Sequence, residues 1–169
     1  MKGHRATDGN GEQVRIASSG DGAGLLLMRG RTTSYRVDPR GEYVFGLVET
    51  GSMSATRGRR RYLAGAGDLC AWDPSAPHAG SARSPWTARL IVIEHPDFMA
   101  LIGEHGCPPH GVEFPNPLVR NSGLAARFAA LHPTLEASTS PLECETLLHG
   151  VAPRSRSPRS WGLDAESRS

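Results

Sequence analysis

Short runs of apolar or alternating residues follow one another between residues 24 and 95, and Gly, Pro, Asp and Asn separate them. Alternation with a period of two predicts half-buried strands. The predicted strands cover residues 25–28, 43–48, 53–56, 60–63, 68–72 and 86–93. Short strands at this spacing are typical of an all-β sandwich or barrel.

Two segments between these runs have the composition of tight turns. Residues 49–52 and 57–59 each contain a glycine, which can adopt the positive φ that hairpin loops require. Sequential antiparallel hairpins are therefore the simplest expected topology. Residues 90–93 are apolar at every position, which predicts a central strand covered on both sides.

The apolar period changes to three and four after Pro96. Residues 98–102 predict a short helix that ends at Gly103. A longer helix is predicted by one apolar stripe, formed by Leu124, Phe128, Leu131 and Leu135. A second helix is expected from Ser140 to Val151, because Ser140, Pro141 and Glu143 fit the N-cap, first-turn proline and capping-box positions.

Both ends of the chain lack an apolar period. Residues 1–23 predict a flexible arm and residues 152–169 a disordered basic tail. The formal charge of +2 arises entirely from that tail, so the rest of the chain is neutral. We therefore expect no direct DNA binding by this chain alone. No signal peptide or apolar span is found and the cysteines are few and scattered, so the expected location is the cytoplasm, with reduced thiols.

The most informative stretch runs from residue 43 to residue 89. It contains Gly51, then the Gly67-Asp68 turn, then Pro74 with His78, and then Trp86 three residues before Arg89. Glycine permits a tight turn, and the aspartate can hydrogen-bond neighbouring amides. As a whole pattern, residues 24–151 resemble the ligand-binding and dimerisation domain of AraC-family transcription regulators.

The resemblance implies a fold and an organisation. The fold is a cupin-type jelly-roll barrel followed by two C-terminal helices, with the effector-binding barrel at residues 24–95 and a helical dimerisation segment at residues 96–151. A homodimer would form through these helices, with Leu124, Phe128, Leu131 and Leu135 as interface candidates. No DNA-binding domain is recognisable, so either the regulator is truncated, by frameshift or otherwise, or the chain is a stand-alone sensor.

The resemblance also implies effector-binding positions. They are Arg36, His78, Gly80, Trp86, Ala88 and Leu90. Positions 86, 88 and 90 share one face of a strand. Gly80, Ala88 and Leu90 replace the aromatic or hydrogen-bonding residues of sugar-binding members, so an effector other than arabinose is expected. Arg36 could pair with an anionic or hydroxylated effector or form a structural ion pair, and Arg89 should form a structural pair on the opposite face.

The alternative is a small metal-dependent cupin enzyme, such as an isomerase, epimerase or dioxygenase. Such enzymes need several converging imidazole or carboxylate ligands, and the expected first motif contains no histidine. A weak metal-like spacing places His105, Cys107 and His110 in a loop interrupted by two prolines. We therefore expect no metal, no cofactor, no catalytic residue and no membrane association, and we expect an effector-sensing domain.

Overall fold

The computed structural model describes residues 4–6, 14–18, 25–37, 41–75, 77–103 and 112–137. These residues form a nearly closed antiparallel β-barrel with two helices packed against it. The strands are β1 (His4–Ala6), β2 (Val14–Ser18), β3 (Leu25–Val37), β4 (Glu42–Thr50), β5 (Ser52–Arg57), β6 (Arg60–Gly65), β7 (Leu69–Trp72), β8 (His78–Glu94) and β9 (Leu118–Val119). The helices are α1 (His95–Gly103) and α2 (Ser122–Ala137).

Strand β8 is the central strand of the sheet, because it pairs with three other strands. One edge of β8 pairs with β3, while on its other edge residues 87–94 pair with β4 and residues 78–81 pair with β5. Residues 91–93 are buried, as expected for a strand covered on both faces. The prediction of a central strand at residues 90–93 is therefore confirmed.

Each predicted strand overlaps a strand of the structure, but the hairpin prediction at residues 49–52 is wrong. β4 and β5 do not pair with each other, because they bind different parts of the same edge of β8. Gly51 turns the chain at this corner with a φ of +76°. A Cβ there would lie 3.1 Å from the Trp86 Cβ, so glycine also permits the close approach to β8. Residues 57–59 do form the hairpin loop between β5 and β6.

Strands β1 and β2 lie within residues 1–23, where the sequence predicts a flexible arm. β2 pairs with β3 and β1 pairs with β2, so the sheet continues beyond the barrel. The physical reason is that β3 would otherwise expose its unpaired backbone N–H and C=O groups along this edge. Val14, Arg15 and Ile16 do alternate, but this run is too short to predict a strand from the sequence alone.

The barrel and the helices share one hydrophobic core. Leu25, Tyr43 and Ile91 of the barrel pack with Phe98 of α1 and Leu135 of α2. The segment between the helices also contributes β9, which pairs with β7. Residues 25–137 thus include helices that complete the core of the barrel. The predicted helix at residues 140–151 and the tail at residues 152–169 lie outside the described residues.

Candidate functional site

The barrel encloses a cavity of about 310 Å³. This volume is at the lower end of the range for small-molecule pockets. Strands β3, β4, β5, β7 and β8 all contribute to its wall. The described residues that line it are Met28, Gly30, Thr32, Ser34, Tyr35, Arg36, Gly46, Leu47, Val48, Met53, Cys70, Trp72, Trp86, Ala88 and Leu90.

One face of β8 forms a continuous part of the wall. Trp86, Ala88 and Leu90 all line the cavity, because alternate residues of a strand point to the same side. Ala88 pairs with Gly30 of β3, so two small residues stand side by side in the wall. On the other edge, a Cβ at Gly46 would lie 2.7 Å from Leu90 Cδ2. The small residues therefore leave room for the cavity and for the Leu90 side chain.

Aromatic rings give the cavity a rigid wall. Tyr35 meets Trp86 edge to face at a centroid distance of 6.3 Å. Trp72 stacks on His78 with centroids 4.5 Å apart and an interplanar angle of 4°. At Gly80, a Cβ would lie only 2.2 Å from Tyr35 Cε1, so a glycine is needed to seat that ring. Packing of this kind fixes the orientation of the rings before any ligand arrives.

The structure divides the six expected effector positions into two groups. Arg36, Trp86, Ala88 and Leu90 line the cavity directly. His78 and Gly80 are not among its lining residues; His78 stacks on Trp72, and Gly80 lies close to the Tyr35 ring. Their role in binding an effector stays a prediction.

Sequence reasoning missed several large side chains of the wall, among them Met28, Tyr35, Met53 and Trp72. Period-two alternation could have found Met28, Met53 and Trp72, because each lies in a predicted strand. The sequence pattern could not identify Tyr35, because the part of β3 that contains it, after Met28, is polar and was not predicted as a strand.

Burial further favours the neutral forms of Cys70 and Tyr35 in the cavity wall. It raises the pKa of the Cys70 thiol to about 12, and it raises the pKa of the Tyr35 hydroxyl well above its ordinary value. Neither group is an anion at neutral pH. Arg36 is therefore the only charged side chain among the described residues that line the cavity.

The outer face of the barrel carries a separate ion-pair network. Glu49 accepts a hydrogen bond from Arg89 Nε at 2.6 Å and another from Arg29 Nε at 3.1 Å. Burial raises the pKa of Glu49, but the two arginines outweigh this effect and hold the pKa below its usual value. The expectation that Arg89 forms a structural pair is confirmed.

Turn residues next to the barrel have defined structural contacts. Gly67 has a φ of +88°, and the adjacent Asp68 accepts a hydrogen bond from the Gly65 N–H at 2.9 Å. Pro74 lies in the turn that follows β7. These contacts fix the turn between β6 and β7, and β7 then contributes Cys70 and Trp72 to the cavity wall.

A buried carboxylate joins the turn after β7 to the segment before β9. Asp73 accepts hydrogen bonds from the Phe114 N–H at 2.7 Å and from the Ser75 N–H at 3.0 Å. Both of its oxygens also meet the Arg57 guanidinium at 3.0 Å. Burial raises the pKa of Asp73, but the bonds from Ser75, Phe114 and Arg57 bring it below its usual value. Asp73 directly follows the cavity residue Trp72.

Helix α2 contacts the cavity wall through a buried histidine. His132 Nε2 lies 3.1 Å from the carbonyl oxygen of Met28 and 3.2 Å from that of Leu90. Both oxygens only accept, so Nε2 carries the proton. Met28 and Leu90 are paired across β3 and β8, and their side chains line the cavity. The histidine therefore connects the helix to two strands of the wall.

The four interface candidates of α2 are oriented toward the protein's own interior. Leu131 and Leu135 are buried in the core, at 9% and 1% exposure. Leu124 and Phe128 are half-buried and pack against the core. The exposed side of the helix instead presents small residues, including Ala126 and Ala130. The dimer role of the four apolar residues stays a prediction.

The described residues contain no group of three or more His, Cys, Asp or Glu side chains placed to hold a metal ion. His105, Cys107 and His110 lie outside the described residues. None of the helices described is long and apolar enough to cross a membrane.

Comparison with known proteins gives one family match. Residues 23–152 match the family model of the AraC-like ligand-binding domain. No curated protein sequence matches the chain.

Several solved structures are similar to all or part of this chain. The AraC-like transcriptional activator CuxR is similar with a TM-score of 0.62 and 16% identity, over 91% of this chain and 56% of CuxR. The chain thus spans little more than half the length of that activator. A cupin superfamily protein from Desulfitobacterium hafniense has a TM-score of 0.45 and 12% identity, over 53% of this chain and 83% of its own. Oxalate decarboxylase from Bacillus subtilis has a TM-score of 0.45 and 17% identity, over 55% of this chain and 28% of its own.

Proposed function

Because the chain belongs to the AraC-like ligand-binding domain family, we propose that it senses a small-molecule effector, which binds in the barrel cavity. The cavity is the observation that carries the proposal. It is about 310 Å³ in volume, its wall is largely apolar, and its polar side chains are few. Sites that bind small molecules share these properties.

The neighbouring contacts support a role in signalling. Occupation of the cavity acts on the wall residues Met28 and Leu90, whose carbonyl oxygens bind His132 of α2. It also acts on Trp72, which is adjacent to the buried carboxylate of Asp73. Both connections lead from the wall toward the helical segment.

Filling the cavity tests this proposal. Ala88→Leu adds three carbon atoms inside the cavity, and Ala126→Leu makes the same change on the exposed face of α2. Purified full chain is screened by thermal unfolding against a panel of small metabolites. A bound effector at 100 times its Kd stabilises the fold by about 2.7 kcal/mol.

The two variants should separate cavity binding from other effects. We expect the stabilisation to be lost in Ala88→Leu and kept in Ala126→Leu. Stabilisation of equal size in both variants would place the binding site elsewhere and overturn the proposal.

The proposed function includes a homodimer formed through the C-terminal helices. Since Leu131 is buried in the core, the exposed side of α2 offers the sharper test. Ala130→Arg should convert a dimer at micromolar concentration to a monomer in sedimentation velocity, whereas Ser84→Arg on exposed β8 should not. A wild-type chain that sediments as a monomer would contradict the dimer.

We propose no catalytic activity for the chain, in keeping with the family it belongs to. The alternative, a metal-dependent cupin enzyme, makes a distinct prediction. Elemental analysis would then find stoichiometric iron, manganese or zinc in the purified protein, and the His78→Ala variant would lose it. This result would replace the sensor proposal.

A further inference from the structure

Strand β6 lies at the margin of the sheet. It pairs with β5 alone, so its other edge is open among the described residues. In an antiparallel ladder, the N–H and C=O of one residue point to the same edge, and those of the next residue point to the other edge. The Leu63 carbonyl oxygen accepts a hydrogen bond at 3.1 Å from the side chain of Arg120, which lies outside this hairpin. Residues 61, 63 and 65 therefore turn their backbone groups toward the open edge.

The fold satisfies one end of this edge and leaves the other end free. The Gly65 N–H donates to the Asp68 carboxylate at 2.9 Å, and the Gly65 carbonyl oxygen accepts from the Asp68 N–H at 3.0 Å. No described residue binds the N–H of Leu63 or either backbone group of Arg61. These groups can pair with an added strand, which is how some domains bind extended peptides.

An exposed apolar side chain lies on the same edge. Tyr62 and Ala64 pack in the core of the barrel, so Arg61 and Leu63 point to the outer face. Leu63 is 67% exposed, and it is the one exposed large hydrophobic residue in the part of the chain that the structure describes. A single exposed leucine has no meaning alone. Beside free backbone groups, however, it offers a contact for one side chain of an added strand.

The hairpin formed by β5 and β6 has a basic tip. Of its four arginines, Arg57 is bound by Asp73 within the fold. Arg59, Arg60 and Arg61 are exposed, and their side chains make no hydrogen bond or ion pair with any described residue. Unpaired positive charges at the open edge favour an acidic partner.

The same charges count against two other occupants. Pairing of β6 with a second copy of itself would gather the exposed arginines of both copies in one short ribbon, and like charges across a strand pair are destabilising. Charge on an edge strand is a usual protection against such self-association. The phosphates of a nucleic acid would attract the arginines, but phosphate oxygens accept hydrogen bonds and offer no donor to the Arg61 carbonyl oxygen.

We propose that the open edge of β6 binds an acidic extended segment of another protein, which adds one strand to the sheet. Antiparallel pairing is the more stable arrangement. The partner residue opposite Leu63 then comes first in the segment, and the residues opposite Arg61, Arg60 and Arg59 begin two positions later. The segment therefore has an apolar residue, one residue of any type, and then consecutive acidic residues.

Fluorescence anisotropy of labelled peptides, titrated with the purified full chain, tests this proposal. The probe is the peptide STVTEEETS, which has the apolar and acidic residues in the required order. STVTQQQTS removes the charge. A third peptide, N-methylated at the first glutamate of STVTEEETS, keeps the charge and removes the N–H that would donate to the Arg61 carbonyl oxygen.

We expect each change in the peptide to weaken binding at least fivefold. Absence of binding by STVTEEETS at millimolar concentration would overturn the proposal. Equal binding of the N-methylated peptide would overturn it as well, because attraction between charges alone needs no added strand.

Arginine variants test where the peptide binds. The double variant Arg60→Gln/Arg61→Gln should weaken STVTEEETS at least fivefold. Arg31→Gln/Arg127→Gln is the matched control, because it makes the same change of charge at exposed residues of β3 and α2. This control should weaken the peptide less than twofold. Equal effects of the two double variants would show a general effect of charge and overturn the assignment to β6.

Two further measurements test the other occupants. We expect a labelled DNA duplex to bind more weakly than STVTEEETS, and we expect Leu63→Arg to leave the sedimentation velocity of the chain unchanged. Tighter binding of DNA that is lost in Arg60→Gln/Arg61→Gln would make the hairpin a nucleic-acid contact and overturn the proposal. A wild-type dimer that Leu63→Arg converts to a monomer would show that a second copy occupies the edge, which would also overturn it.

Discussion

Asp73→Asn should destabilise the protein because it removes one charge from a buried ion pair. The Asp73 side chain is 1% exposed and that of its partner, Arg57, is 17% exposed. Breaking a buried pair on one side costs about 3–5 kcal/mol, because the remaining charge stays buried without its counterpart. Arg57 keeps its bonds to Ser75 and to the Phe114 carbonyl oxygen, so we expect a loss of about 2–4 kcal/mol at pH 7.

The stability difference between the wild type and Asp73→Asn should depend on pH in a defined direction. The pKa of Asp73 is lowered in the folded state, so its charge contributes stability above the unfolded pKa of about 3.9. That contribution is lost as the pH falls through the folded-state value. The asparagine variant has no such proton to gain. The difference in unfolding free energy between the two proteins should therefore be constant from pH 7 to pH 5 and become smaller below about pH 4.

Urea unfolding followed by tryptophan fluorescence measures this difference at each pH. Arg57→Met and the double variant complete a thermodynamic cycle, in which the double variant should be more stable than the sum of the single losses implies. A loss below about 0.5 kcal/mol for Asp73→Asn would refute the reasoning. So would a difference between the proteins that stays unchanged down to pH 3.

Two further substitutions probe the cavity wall and its contact with α2. Gly80→Ala should destabilise the fold by about 1–3 kcal/mol in thermal unfolding, because the new Cβ displaces Tyr35. Gly123→Ala is the control: its new Cβ would lie 3.5 Å from the nearest atom, so stability should change by less than about 1 kcal/mol. Burial lowers the pKa of His132, so wild-type stability should fall as the pH drops below about 6.5, and His132→Gln should not show this part of the pH dependence. Equal losses of stability in the two glycine variants would contradict the first expectation. Parallel pH profiles of stability for the wild type and His132→Gln would contradict the second.

The sequence predicts those parts of the structure that local periodicity controls. The alternation of residues 86, 88 and 90 places three side chains on one face of a strand, and all three line the cavity. The apolar stripe of α2 likewise predicts a helix with the correct buried side. In both cases the period of the element alone determines which side chains share a face.

Features that depend on pairing between distant residues could not be predicted. The second half of β3 is polar and looks like a loop, and it is a strand because β8 binds its backbone. Arg57 and Asp73 belong to different strand regions and meet only in the folded barrel. His132 is one histidine in a helix, and only the structure shows the two carbonyl oxygens that it binds.

The central position of β8 also determines how this barrel can be made. β3, β4 and β5 each pair with β8, which follows all of them in the chain. During synthesis they leave the ribosome with open edges and wait for residues 78–94. Contacts between segments so far apart form slowly, and unpaired strand edges promote aggregation in the interval. We therefore expect nascent chains that stop before β8 to depend on chaperones, and release of the complete strand to allow folding.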